Sequence, residues 1–113
     1  MCRLDPGQPS PVPPDDGSLF SATSTGEERS LVCRADLAPG GSRVEPGWRA
    51  LTVAGPLDFA LVGLIAGLTE PLARANISVF VLSTFDTDHL LVPAGSLDQA
   101  VGALASSGHT VTG

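Results

Sequence analysis

Leucine recurs at positions 57, 61, 64, 68 and 72, in steps of four, three, four and four. That spacing lines one face of an α-helix. Gly55-Pro56 opens the helix in this pattern, since Pro is favoured in the first turn and Gly tolerates a tight start. Gly63 and Gly67 lie on a neighbouring line of the same helix, where small residues let it approach a sheet or a second helix closely. Pro71 falls inside the pattern and predicts a kink or the end of the regular part.

Strand patterns flank this helix. Trp48 to Val53 alternates, with Trp48, Ala50 and Thr52 on one face and Arg49, Leu51 and Val53 on the other. Ile77 to Ser83 is apolar on both faces, which predicts a central, covered strand. Thr84 to Asp88 is turn-prone, and His89 to Val92 makes the returning strand of a hairpin. Ser96 and Gln99 form a capping box ahead of the apolar face Leu97, Ala100, Val101 and Leu104. Gly108 stops that second helix, and His109 to Thr112 reads as a short final strand. The order is βαββαβ, an α+β ferredoxin-like split unit with an antiparallel sheet and both helices on one face.

Before Trp48 the pattern changes. Residues 5–16 carry five prolines, at 6, 9, 11, 13 and 14, and predict an exposed loop that cannot be helical. Leu19 to Ser24 and Ser30 to Arg34 are short strand-like runs joined by Thr25-Gly26-Glu27-Glu28, a hairpin over about 19–34. Leu37 to Glu45 reads as another loop. The organisation expected is a strand and loop segment, 1–47, packed on a main domain, 48–113, with the N-terminal strands available to extend the same sheet.

Charge and composition narrow the function classes. Six Arg and no Lys stand against 12 Asp and Glu, a formal charge of −6, and the arginines are scattered along the chain. Such a surface repels phosphate backbones, so no nucleic-acid partner is expected. The most apolar window, Ala50 to Leu68, is interrupted by Pro56 and Asp58, too short a run for the roughly 20 residues that span a bilayer. Met1 to Pro6 lacks the basic start and apolar stretch of a signal peptide, so a cytoplasmic location without membrane association is expected. Cys2 and Cys33 make no disulfide framework and no metal spacing, and read as small buried apolar side chains.

Three polar places adjoin strongly structured segments. At Ala54-Gly55-Pro56-Leu57-Asp58, a helix start offers free N–H groups to a carboxylate while Asp58 attracts an ammonium or guanidinium, so the two together hold both ends of a zwitterion. The structural alternative is that Asp58 only stabilises the first helical turn. Ser83 to His89 places Asp86, Asp88 and His89 close together, which suits acid–base chemistry or a metal, but polar hairpin turns have the same composition. Asn76-Ile77-Ser78 is a polar strand edge able to present backbone groups. No phosphate loop, nucleophile elbow or zinc motif is present, and no cofactor is expected.

The stretches Gly47-Trp48-Arg49-Ala50-Leu51-Thr52-Val53-Ala54-Gly55-Pro56-Leu57-Asp58-Phe59 and Ile77 to Val92, with Ser83-Thr84-Phe85-Asp86-Thr87-Asp88 inside it, resemble the ACT domain family. The resemblance is narrower toward short bacterial ACT-domain proteins related to the cytosolic arginine sensors of animals and to the regulatory part of aspartate kinase. It implies a non-catalytic regulatory module that pairs with another copy, as a homodimer, and binds an amino acid between the two. It also implies that the N-terminal segment is a degenerate second ACT-like half. Ligand-binding positions carried over are Gly55, Leu57 and Asp58, with Asn76, Ile77 and Ser78 across the interface. Ser83, Thr84 and Asp86 match the motif that closes the site in the arginine-sensor branch. Arginine is the first candidate ligand, because Asp58 offers a guanidinium partner. Two other readings remain open: an interaction module docked on a regulated protein without any ligand, and a small enzyme that recruits Asp58, Asp86, Asp88 and His89.

Overall fold

The computed structural model describes residues 1–55 and 62–112, and two compact units divide at residue 46. Unit one, Met1–Pro46, is built on four short strands: β1 Cys2–Leu4, β2 Ser21–Ser24, β3 Arg29–Val32 and β4 Arg43–Val44. They form a four-stranded antiparallel sheet in the order β2-β3-β1-β4. This sheet is separate from that of the second unit, so the N-terminal strands do not extend the main sheet. Alternation in β1 sends Cys2 and Leu4 inward, where they pack with Leu31 against Phe20, Cys33 and Ala38. Burial and the adjacent Cys2 thiol push the Cys33 thiol up. The β2–β3 hairpin closes on Thr25, whose amide donates to the Glu28 carbonyl at 2.9 Å while its hydroxyl accepts from the Glu27 and Glu28 amides. The segment expected as loop from Leu37 contains β4, which pairs with β1 through only two residues, too few for an alternation signal.

The proline-rich loop is tied to this unit by polar contacts. Arg29 donates to the Gln8 carbonyl at 2.8 Å, and Arg34 bridges Asp16 and Asp36. Hydrogen bonds from Ser18 and the Arg34 guanidinium hold the Asp16 carboxyl below the usual carboxylate range. Prolines limit the unfolded chain's freedom, so few bonds suffice to order such a segment.

Unit two, Gly47–Gly113, contains β5 Trp48–Thr52, α1 Leu64–Arg74, β6 Phe80–Ser83, β7 Asp88–Pro93 and α2 Leu97–Ser106. Its strands form an antiparallel sheet in the order β5-β7-β6. Leu51 and Val53, Val81, and Leu90 and Val92 point from the sheet into one core with Leu68 and Leu72 of α1 and Ala100 and Leu104 of α2. Both helices therefore lie on the same face. The leucine stripe is real from Leu64 onward; Leu57 and Leu61 lie outside the described residues.

Several expectations for this unit need correction. Gly63 is not inside the helix: its φ of 83° is left-handed and it immediately precedes Leu64. Pro71 does not end the helix, which runs on to Arg74. Ladder pairing of the second strand begins at Phe80, not Ile77, and β6 is an edge strand while β7 is central. Its outer face is apolar because Phe80 meets Trp48 edge to face at 4.7 Å, not because the strand is covered by strands on both sides. Ser96 makes no side-chain cap, since a 3-10 turn, Ala94–Ser96, leads straight into α2 and Gln99 reaches the Ala75 carbonyl instead. His109 to Thr112 forms no strand.

Both helices end in the same hydrogen-bond motif. The Ile77 amide donates to Leu72 and the Asn76 amide to Ala73, with Asn76 at φ 58°. The His109 amide donates to Leu104 and the Gly108 amide to Ala105, with Gly108 at φ 95°. These are Schellman closures, which satisfy the last helical carbonyls. Ile77, placed by the sequence in a ligand-binding edge, is buried against Leu72 as the apolar partner of that closure.

Candidate functional site

Register places the C-terminal end of β5 beside the β6–β7 turn, with Thr52 opposite His89 and Ser83 opposite Asp88. The pairing continues past β5, where the Val53 amide donates to the Asp88 carbonyl at 3.0 Å. Thr87 then fastens the turn to the loop, its hydroxyl donating to the Val53 carbonyl at 2.6 Å. Gly55 sits so close to the turn that a Cβ there would lie 2.9 Å from the Asp86 carbonyl oxygen and 3.2 Å from the Thr87 Cβ. The glycine is needed for this approach of two backbones, and the helix start expected after it lies outside the described residues.

The turn is closed by Thr84, whose amide donates to the Thr87 carbonyl at 2.8 Å. Ser83 donates to Asp88 Oδ1 at 2.5 Å, and the Thr52 hydroxyl pairs with His89 Nδ1 at 2.9 Å. Asp88 and His89 are thus each committed to a hydroxyl neighbour. Among the described residues no three His, Cys, Asp or Glu side chains converge on a point that would hold a metal. Asp86 is exposed at the tip, and its carboxylate has no hydrogen-bond or ion-pair partner among the described residues.

Two of the three places singled out in the sequence are therefore brought together: Gly55 on the loop, and Ser83, Thr84 and Asp86 on the turn. Leu57 and Asp58 lie outside the described residues. Asn76, Ile77 and Ser78 precede β6 and so lie at the other end of the strand from Ser83. Within one copy the unit does not unite them with Gly55. Asn76 is spent on the helix closure, Ile77 on the core, and Ser78 is exposed. At that end of the sheet Trp48 Nε1 is enclosed without a hydrogen-bond partner among the described residues.

Beside the loop a cleft of about 530 Å³ runs between β5, the start of α1 and the C-terminal segment, lined by Thr52, Ala54, Leu64, Leu68, His109 and Val111 among others. His109 has a further role that spacing alone did not reveal. Pro71 has no N–H to give to the Gly67 carbonyl four residues earlier. His109 Nε2 donates to that carbonyl at 2.9 Å, so this nitrogen carries the proton. The C-terminal segment is thereby held against α1. His109→Ala is expected to lower stability by about 0.5–1.5 kcal/mol in urea unfolding. In a Pro71→Ala background, where the helix supplies its own donor, the loss is expected to be smaller.

An antiparallel sheet with both helices on one face, and a loop and a hairpin turn clasped at its end, defines a small α+β domain of the ferredoxin-like class. The chain belongs to the ACT domain family, whose model matches residues 43–106. The cytosolic arginine sensor for mTORC1 subunit 1 of Homo sapiens is 40% identical over 58 residues, half of this chain. That of Mus musculus is 38% identical over the same length. The chain spans 18% of the length of these relatives. A crystal structure of an Agrobacterium tumefaciens protein matches at TM-score 0.87 and 38% identity, over 98% of this chain and 83% of that one. A Vibrio cholerae protein, described as of unknown function and a possible transport protein, shares the fold at TM-score 0.63 and 20% identity, over 79% of this chain and 69% of that one. Among the described residues no helix is long and apolar enough to cross a membrane.

Proposed function

We propose that this chain is a non-catalytic regulatory module that binds an amino acid at an interface between two ACT-type folds. The observation that carries the proposal is the clasp of the Gly55 loop onto the Ser83–Asp88 turn, in a chain whose relatives include proteins named arginine sensors. The clasp presents backbone groups and the Asp86 carboxylate, which has no partner among the described residues, at one end of the sheet, and Leu57 and Asp58 follow Gly55 closely in the sequence. Arginine is the first ligand to test, since Asp58 and Asp86 suit a guanidinium or ammonium group. Asn76, Ile77 and Ser78 join such a site only from a second copy, because they stand at the far end of β6; a homodimer is the assembly that this requires.

The test is thermal unfolding with each of the twenty amino acids. A ligand at about 100 times its dissociation constant adds about 2.7 kcal/mol, a shift of several degrees for a unit of this size. The expected result is a shift with arginine that disappears in Asp58→Ala. If no amino acid shifts the transition, the ligand reading is wrong and the module acts through protein contacts.

A further inference from the structure

We propose that Arg3 and Arg43 form a binding site for a small oxyanion, a phosphate or carboxylate group, on the exposed face of the N-terminal sheet. This site is distinct from the amino-acid site and does not rest on it. The register aligns Thr23, Ser30, Arg3 and Arg43 in one cross-strand row over β2, β3, β1 and β4. The opposite face of β1 carries the buried Cys2 and Leu4, so the row faces outward.

Two guanidinium groups directly opposite each other on an antiparallel pair repel, and such pairs destabilise a sheet. The placement is costly in a chain with only six cations and 12 carboxylates, where acidic neighbours are plentiful. Arg3 has found one: its Nη1 donates to Glu28 Oε2 at 2.7 Å, which leaves its remaining N–H groups available. Arg43 has no hydrogen-bond or ion-pair partner among the described residues. An oxyanion between the two converts the repulsion into paired attraction, because each planar fork matches a carboxylate or phosphate edge.

The two arginines separate two clefts, and size decides between them. In the larger, about 380 Å³, the Met1 ammonium stands with the two guanidinium groups against Glu28 and Glu45. In the smaller, about 180 Å³, Asp5 alone opposes them, and Gln8 and Gly41 complete the walls. Both clefts are net-positive, and the size of the smaller suits a single oxyanion group rather than a whole nucleotide.

The experiment is an NMR titration of the full chain, following the Arg Nε–H signals and the Gly41 amide. Inorganic phosphate and acetate are added separately, with ionic strength held constant by sodium chloride. Saturable shifts at Arg3, Arg43 and Gly41 with either anion are expected, and the arm that saturates names the chemistry. Arg43→Ala should weaken binding at least about tenfold, as loss of a charge-assisted hydrogen bond does. Arg43→Gln, which keeps a polar, partly aliphatic side chain on an exposed edge strand, should do the same if the alanine variant disturbs β4. Absence of saturation with both anions, or equal binding by the Arg43 variants, overturns the proposal.

Discussion

Leu72→Ala should destabilise the C-terminal unit by about 2–5 kcal/mol, the range for truncating a large buried aliphatic side chain. Leu72 is fully buried, at 0% exposure, among Leu68, Ile77, Leu90, Val92, Ala100 and Leu104. It also supplies the carbonyl that accepts from Ile77 in the closure of α1, so the cavity opens where the helix hands over to β6. The closure bonds from Asn76 and Ile77 tie the chain down beside Leu72, and a site that cannot collapse keeps its void. Against a total stability of about 5–15 kcal/mol, that loss removes a large fraction. Each kcal/mol is worth about 4–8 °C for a unit of this size. Trp48 is the only tryptophan and lies in this unit, so its fluorescence in urea reports this unit without the other. Val62→Ala, at a side chain 92% exposed, is the control and should stay within about 0.5 kcal/mol of the parent. A Leu72→Ala loss below that of an ordinary surface change would mean that α1 is not packed as described.

Gly55→Ala is expected to have the second-largest effect. The new Cβ would sit 2.9 Å from the Asp86 carbonyl oxygen, a backbone atom that cannot rotate away. Either the loop or the turn must move, and the 2.6 Å bond from Thr87 to the Val53 carbonyl stands directly in the path of that movement. Overpacking of this kind costs about 1–3 kcal/mol. Because the displacement falls on the proposed ligand site, the arginine-induced thermal shift should vanish as well. Calorimetry separates the two effects: a destabilised variant that still binds arginine with parental affinity would remove Gly55 and the turn from the site. A variant as stable as the parent would show that the two backbones are not in close approach.

How much was legible beforehand depended on the range of the interaction. The leucine steps from Leu64 to Leu72 and the alternation in β5 are local periodicities that grouped the residues sharing a face, and the structure turns the Leu51–Val53 face of β5 into the core. Gly108 was legible as a stop because only its own backbone conformation was at issue. Asn76 lies in a helix closure and not in the strand edge that the sequence pattern suggests, for an informative reason. A polar residue before an apolar strand looks like an exposed edge, yet Asn tolerates the left-handed conformation that closes α1, and the structure uses it there. The capping box at Ser96 failed because the chain arrives through a 3-10 turn, a geometry that residue types do not signal.

The sequence by itself determined the β-α-β-β-α order from Trp48 to Ser106, which residues share a face of each helix and strand, and the family to which the chain belongs. Each of these is carried by period, turn chemistry or local motif, which neighbouring residues encode directly. Only the tertiary structure decided that β7 is central and β6 an edge, that Gly55 meets the Asp86–Thr87 turn, and that His109 replaces the hydrogen bond Pro71 lacks. It also set Arg43 opposite Arg3, forty residues apart in the chain. These pairings depend on which distant segments share a register or a contact. One chain's residue types constrain such choices only through the packed whole.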